Sequence, residues 1–130
     1  MLHTPVKVLA FSALVEVGTG LVLLFDPAFV IALLLGANAS GVGIPLGRGF
    51  GIALLALGVA AWPGRSRTDG GLPAFRAMLL YNALIASYLA YLGAVVHVGG
   101  VLLWPAVGLH AVVALLLGWT RRNQRRNERR

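Results

Sequence analysis

Pro5-Val6-Lys7-Val8-Leu9-Ala10-Phe11-Ser12-Ala13-Leu14-Val15-Glu16-Val17-Gly18-Thr19-Gly20-Leu21-Val22-Leu23-Leu24-Phe25 carries only two charged side chains, Lys7 near its start and Glu16 in its interior. About twenty predominantly apolar residues in helical form cross the roughly 30 Å of hydrocarbon in a bilayer, so residues 5–25 read as a first membrane span. Asp26-Pro27 ends it, and the same pair is a start signal for a new helix, with the acid at the cap and proline in the first turn. The segment that follows, residues 27–36, is apolar but too short to span, and it closes at Gly36. It reads as an interfacial or partly re-entrant helix on the outer end of a bundle.

Working outward, a second span covers residues 42–62, with Pro45 and Arg48 in its outer part and Pro63-Gly64 as its stop. Arg65-Ser66-Arg67-Thr68-Asp69-Gly70-Gly71 is the only strongly polar internal linker. A third span covers 73–94, the short link His97-Val98-Gly99-Gly100 follows, and a fourth span covers 101–119. The expected fold is all-α: an integral membrane four-helix bundle, a single domain over residues 1–120, with a basic tail at 121–130.

Composition agrees with this pattern. The 130 residues are 58% apolar and only 12% charged, with a mean hydropathy of +0.84. A soluble domain of this length could not hide so much apolar surface. The sequence has no cysteine, which excludes disulfides, thiolate metal sites and a thiol nucleophile. The N-terminal stretch carries one lysine and stays apolar beyond ordinary cleavage length, so it is expected to be a retained helix and not a signal peptide.

The formal charge of +7 does not point to nucleic acid, because Arg121, Arg122, Arg125, Arg126, Arg129 and Arg130 concentrate it at the C-terminus. Arginines packed directly after a span fit contact with anionic lipid better than a base-reading surface. With four spans, Lys7, Arg65, Arg67, Arg76 and the six tail arginines share one side, and Arg48 alone falls in the other half. Positive residues are retained on the cytoplasmic side, so both termini are expected in the cytoplasm of a bacterial-type inner membrane. Trp62 and Trp119 then mark the cytoplasmic interface and Trp104 the opposite one.

Polar side chains inside spans are costly unless they face a partner or a cavity. Glu16, Asn82 and His110 lie near the middle of spans one, three and four, and Arg48 lies nearer the outer end of span two. These four, with Tyr81 and Tyr88 on the third helix, form the candidate proton or ligand site. Ser12, Glu16, Thr19 and Gly20 recur at helical spacing and so share one narrow face. Gly47, Gly51 and Gly58 supply a small-residue packing surface on the second span. Tyr81, Tyr88 and Tyr91 read either as a packed aromatic seam or as hydroxyl partners for Glu16 or His110.

Glu16 reads either as a proton-carrying or cation-binding carboxylate or as a structural acid paired with Arg48 or His110. Arg48 stays charged, and its long side chain either snorkels to the outer interface or turns inward to the acid. His110 reads chiefly as a hydrogen-bond donor across the bundle; ligation of haem, also between two copies, stays open. No second ligand at matching depth marks a metal site.

Glu16-Val17-Gly18-Thr19 resembles the first-helix signature of the small multidrug resistance transporters, although that family places one more residue between the acid and its Gly-Thr pair. The resemblance implies a membrane-embedded acid that exchanges protons for cations. A broader likeness, over about half the chain, is to small bacterial four-helix proteins of the DoxX-like type. It rests on Glu16, the Asp26-Pro27 break with its short apolar segment, and Arg48-Gly49-Phe50-Gly51-Ile52-Ala53-Leu54-Leu55-Ala56-Leu57-Gly58. That resemblance implies a fold, and by analogy a membrane subunit of a quinone-linked oxidoreductase.

The first expectation for function is a non-enzymatic structural or accessory subunit, in a homo-oligomer or larger membrane complex. The alternatives are a small proton-coupled transporter using Glu16 and a quinone-linked redox subunit. No residue is assigned a catalytic role, and no cofactor is required, with haem and quinone left open.

Overall fold

The computed structural model describes residues 4–62 and 71–127. Among them are five α-helices and no strand: α1 (Thr4–Phe25), α2 (Pro27–Leu35), α3 (Gly43–Ala60), α4 (Gly71–Tyr91) and α5 (Leu103–Asn127). A single π-helical turn, Leu92–Val96, prolongs α4. Four of these helices, α1, α3, α4 with its π turn, and α5, are long and apolar enough to cross a membrane. Most of the polar linker after Trp62, His3, and Arg129 and Arg130 at the end of the tail lie outside the described residues.

Local chemistry sets the short helix. The Asp26 carboxylate accepts the Phe29 backbone N–H at 3.1 Å, and Pro27 opens the first turn of α2, where its missing N–H costs nothing. Gly36 closes α2 in the left-handed region with φ 65° and donates its N–H to the Ala32 carbonyl at 2.9 Å. At the other end of the chain, α5 does not stop at the arginines. The segment from Arg121 to Asn127 continues the same helix.

Two antiparallel pairs make the bundle, α1 with α3 and α4 with α5, and they meet mainly where α1 lies on α5. The α1–α3 seam is closed backbone to backbone. A Cβ on Gly51 would stand 2.7 Å from the Gly20 carbonyl oxygen, and one on Gly20 would stand 2.8 Å from the Gly51 oxygen. One heptad on, a Cβ on Gly58 would meet Val17 at 2.7 Å, while one on Gly47 would meet Pro27 of α2 at 2.7 Å. Gly51→Ala is therefore expected to lower stability in detergent by about 1–2 kcal/mol through overpacking. Gly49→Ala is expected to be near neutral, since a Cβ there meets nothing within 4 Å. Equal unfolding midpoints for the two variants would show that the seam has slack.

The connection between α4 and α5 docks on α2 through main-chain bonds. Gly100 donates its N–H to the Leu34 carbonyl at 2.7 Å and Leu102 donates to Leu33 at 2.9 Å, which satisfies carbonyls that the end of a helix leaves open. His97 turns the chain here with φ 59°. This end also holds the α1–α2 corner and the start of α3, so α2 caps one end of the bundle.

The two halves of the bundle are packed differently. Ala13, Ala61, Phe75, Met78, Val113 and Leu117 form a buried core toward the end where α1 begins and α5 finishes. Toward α2 there is no comparable cluster among the described residues. Only 17–28% of the residues in each long helix's most apolar window are buried, and large apolar side chains such as Leu14, Leu46, Ile52, Leu80, Leu84 and Leu115 face outward. An apolar surface of that extent marks contact with lipid or with other protein.

Candidate functional site

Between the packed core and the α2 end lies a polar layer contributed by three helices. Ser12 and Glu16 sit one turn apart on α1, Asn82 projects from α4 and His110 from α5. Ser12, Glu16, Asn82 and His110 are all buried, Asn82 completely and Glu16 to within 1%. The Asn82 side-chain amide donates to the Ser12 hydroxyl at 3.0 Å and to the Met78 carbonyl at 2.9 Å. Its oxygen lies 2.8 Å from His110 Nδ1. One amide thus ties α1, α4 and α5 together.

These contacts fix more than distance. The Met78 carbonyl can only accept, so it must face the amide nitrogen, which turns the Asn82 oxygen toward the imidazole. An oxygen can only accept in turn, so His110 Nδ1 carries a hydrogen and donates it. In the neutral ring the lone pair is then on Nε2. Tyr81 supports the same ring edge-on, with centroids 5.8 Å apart and planes at 88°.

Glu16 is left without the partners its burial calls for. Its Oε1 has no hydrogen bond, and the nearest basic nitrogen, His110 Nδ1, is 3.9 Å away with its hydrogen already committed to Asn82. Tyr81 is the other polar side chain that reaches toward this carboxyl group. Buried polar atoms are satisfied in the great majority of cases, and a native exception asks for an explanation.

Glu16 also stands beside a cavity. A space of about 880 Å³ opens above the polar layer, toward α2, within the range of roughly 300–1,000 Å³ usual for small-molecule sites. Glu16, Thr19, Tyr81 and His110 form its polar end, and its walls are apolar, including Val30, Ile31, Leu33 and Leu34 of α2, Leu54 of α3 and Ile85 of α4. Leu14, Val22, Phe29, Phe50 and Tyr88 both line the cavity and are exposed, so it opens sideways onto the apolar surface. The neighbours α3 and α4 touch each other little, and their facing sides are two of the walls.

The structure brings together Glu16, Tyr81, Asn82 and His110, and it separates Arg48 from them. Arg48 is exposed and forms no ion pair with Glu16 or any other acid among the described residues. The expectation of Arg48 in an intramembrane cluster is corrected accordingly. The tyrosine stripe is also not a packed seam: Tyr81 turns inward, while Tyr88 and Tyr91 are 56% and 52% exposed. Of those two, Tyr88 belongs to the wall of the cavity and not to its polar end.

The basic residues collect at the opposite end of the molecule. Arg76 of α4 faces Arg121 of α5 closely enough for the two charges to repel, and Arg122, Arg125 and Arg126 extend the positive surface along α5. No group of three His, Asp or Glu residues is placed to hold a metal ion among the described residues.

Reasoning on sequence missed three parts of this site: the role of Ser12 as a partner of Asn82, the Met78 carbonyl that orients the amide, and the cavity. The first had a signal in the spacing of Ser12 and Glu16. The second is a main-chain group and has none. Comparison with protein-family models, with curated proteins and with solved structures yields no match.

Proposed function

We propose that the chain is a four-span integral membrane protein that holds a lipophilic small molecule in its side-opening cavity, as a non-enzymatic accessory subunit of a membrane assembly. The observation that carries this reading is the 880 Å³ apolar cavity, which opens sideways onto the apolar surface and has Glu16, Thr19, Tyr81 and His110 at its polar end. The outward-facing apolar side chains of four long helices support insertion in a bilayer, since the same surface in water would be an aggregation liability. The described connections between helices are too short to enclose a soluble substrate. On the other side of the polar layer the core is filled, which favours a binding vestibule over a through-path.

Occupancy can be read with an apolar fluorophore added to the purified protein in nanodiscs. Gly18 lines the cavity, and a Cβ there meets nothing within 4 Å, so Gly18→Phe is expected to abolish dye binding without harming the fold. Gly118→Leu, equally free of contacts and away from the cavity, is the control. Undiminished binding by Gly18→Phe would remove the cavity from the proposal.

A proton-coupled transporter using Glu16 is the second reading, and the unpartnered Oε1 is what favours it. Glu16→Gln keeps the size of the side chain and cannot ionise. If that variant folds but loses pH-driven solute uptake in proteoliposomes, the transporter reading replaces the first. If wild type moves no solute, that reading is dropped.

The charge distribution supports an orientation with both termini in the cytoplasm and the α2 end outside, because ten of the eleven basic residues then fall on one side. The arginine-bearing end of α5 would lie against anionic headgroups, where each basic residue contributes about 1 kcal/mol. Reporter fusions are expected to be active in the cytoplasm after residue 67 and after residue 127, and outside when placed at Gly99. An external reporter at residue 67 would invert the topology.

A further inference from the structure

We infer that the outer groove between α1 and α5 holds one acyl chain of an anionic phospholipid, with the phosphate seated on Lys7 at the groove's basic end. This rests on the membrane reading above and is independent of the larger cavity.

The groove has a floor, an open side and a direction. Lys7, Val8, Phe11, Gly108, Val112 and Leu116 are among the residues that line its space of about 480 Å³. Phe11, Val112 and Leu116 are also exposed, so it opens outward along the seam of the two helices. Gly108 leaves the gap, since a Cβ there would meet nothing within 4 Å. From Gly108 to Leu116 the helix rises about 12 Å, most of one leaflet of a hydrocarbon core about 30 Å thick. An extended hydrocarbon chain lying along the bundle fits that shape.

Lys7 is the one charged residue that lines the groove. Helical side chains lean toward the start of their own helix, so Lys7 leans toward the end of the bundle where α1 begins and α5 finishes. It is exposed and forms no ion pair among the described residues. On α5 the stripe that carries Val112 continues at intervals of seven to Trp119 and Arg126, which therefore share its face. Trp119 is 59% exposed, as suits an aromatic ring at headgroup level, and Arg126 is exposed beyond it. The groove thus runs from apolar walls past an aromatic ring into positive charge.

Charge selects the head. A zwitterionic phospholipid would bring its ammonium group among Lys7 and Arg126, whereas an anionic one brings only the opposite sign. Basic residues beside a span attract anionic lipid in general; the groove adds a fixed position, because chain and phosphate of one molecule must match it together. A second copy of this chain would bring its own arginines to the same face and is the poorer occupant.

The test is native mass spectrometry of the full-length protein in mild detergent, with equal amounts of phosphatidylglycerol and phosphatidylcholine carrying identical chains. One phosphatidylglycerol is expected to be retained at least ten times more often than phosphatidylcholine. Lys7→Gln is expected to lower that preference at least fivefold, and Gly108→Leu, which fills the groove, to lower retention of both lipids as strongly. The double variant Arg122→Gln with Arg125→Gln, on other faces of α5, is expected to keep the bound lipid. Equal retention of the two lipids by wild type would overturn the inference without recourse to any variant. A preference lost in the arginine variant and kept in Lys7→Gln would overturn it in favour of diffuse attraction to the tail. Dimers that Gly108→Leu disperses would overturn it in favour of a second copy. Insertion is read separately by the reporter fusions, so each of these failures leaves the membrane reading standing.

Discussion

Replacing Asn82 with leucine is expected to destabilise the bundle by about 2–4 kcal/mol, from three lost hydrogen bonds worth roughly 0.5–1.5 kcal/mol each and a donor left buried without a partner. Asn82 is fully buried and its amide joins Ser12, the Met78 carbonyl and His110. The losses differ in weight. The Ser12 hydroxyl can turn back onto its own helix, as serine commonly does, whereas the nearest other acceptor for the His110 Nδ1 hydrogen, Glu16 Oε1, stands 3.9 Å away. The variant therefore carries a second signature beyond stability. Nitrogen chemical shifts of the imidazole should report the Nδ1-protonated ring in wild type and a mixture of tautomers in Asn82→Leu. A single unchanged tautomer in the variant would show that something other than Asn82 sets the ring.

Gly100→Val is expected to release α2 from the bundle at a cost of about 3 kcal/mol, because two main-chain bonds are lost together and the added side chain is forced against main-chain atoms. A Cβ at Gly100 would overlap the carbonyl oxygens of Ala32 and Leu33, and the bonds from Gly100 and Leu102 to α2 hold only while that approach is possible. The chain has no cysteine, so a single Leu33→Cys probe reports on α2 without background. Its labelling by a membrane-permeant maleimide should rise at least tenfold in the Gly100→Val background. Slow labelling with an unchanged unfolding midpoint would mean that α2 is held by its side chains instead.

Much of the fold was legible because its determinants are local. The length and charge content of residues 5–25 point to a long apolar helix, and Asp26-Pro27 and Gly36 mark both ends of α2 through capping chemistry that acts within four residues. The π turn at Leu92–Val96 had no such marker. Its Leu-Gly-Ala-Val-Val sequence suits an ordinary helix end, and the bulge follows from docking Gly99 and Gly100 on α2, a contact between segments more than sixty residues apart in sequence. The continuation of α5 to Asn127 is unmarked for another reason: arginine and glutamine are good helix formers, yet like charges four residues apart, as in Arg121 with Arg125, oppose the helix.

The site was legible in depth and not in direction. Counting along each span places Glu16, Asn82 and His110 at one level, since helical rise is fixed at 1.5 Å per residue. Rotation about each helix axis is set by packing with the others, and it is rotation that turns Asn82 onto Ser12 and Arg48 outward. The cavity left no trace in the sequence because an unfilled space has no residues of its own. It arises from the loose contact between α3 and α4, while α1 and α3 are locked by glycine.

The sideways mouth of that cavity changes what concentration means for this protein. A ligand that arrives between Phe50 and Tyr88 comes out of the hydrocarbon, so in the membrane reading proposed above its activity is a mole fraction among lipids and not a molarity in water. Half-saturation would then shift with the lipid-to-protein ratio at constant total ligand. Added empty vesicles would strip the site as effectively as a competitor does, whereas added buffer would leave a strongly partitioning ligand in place.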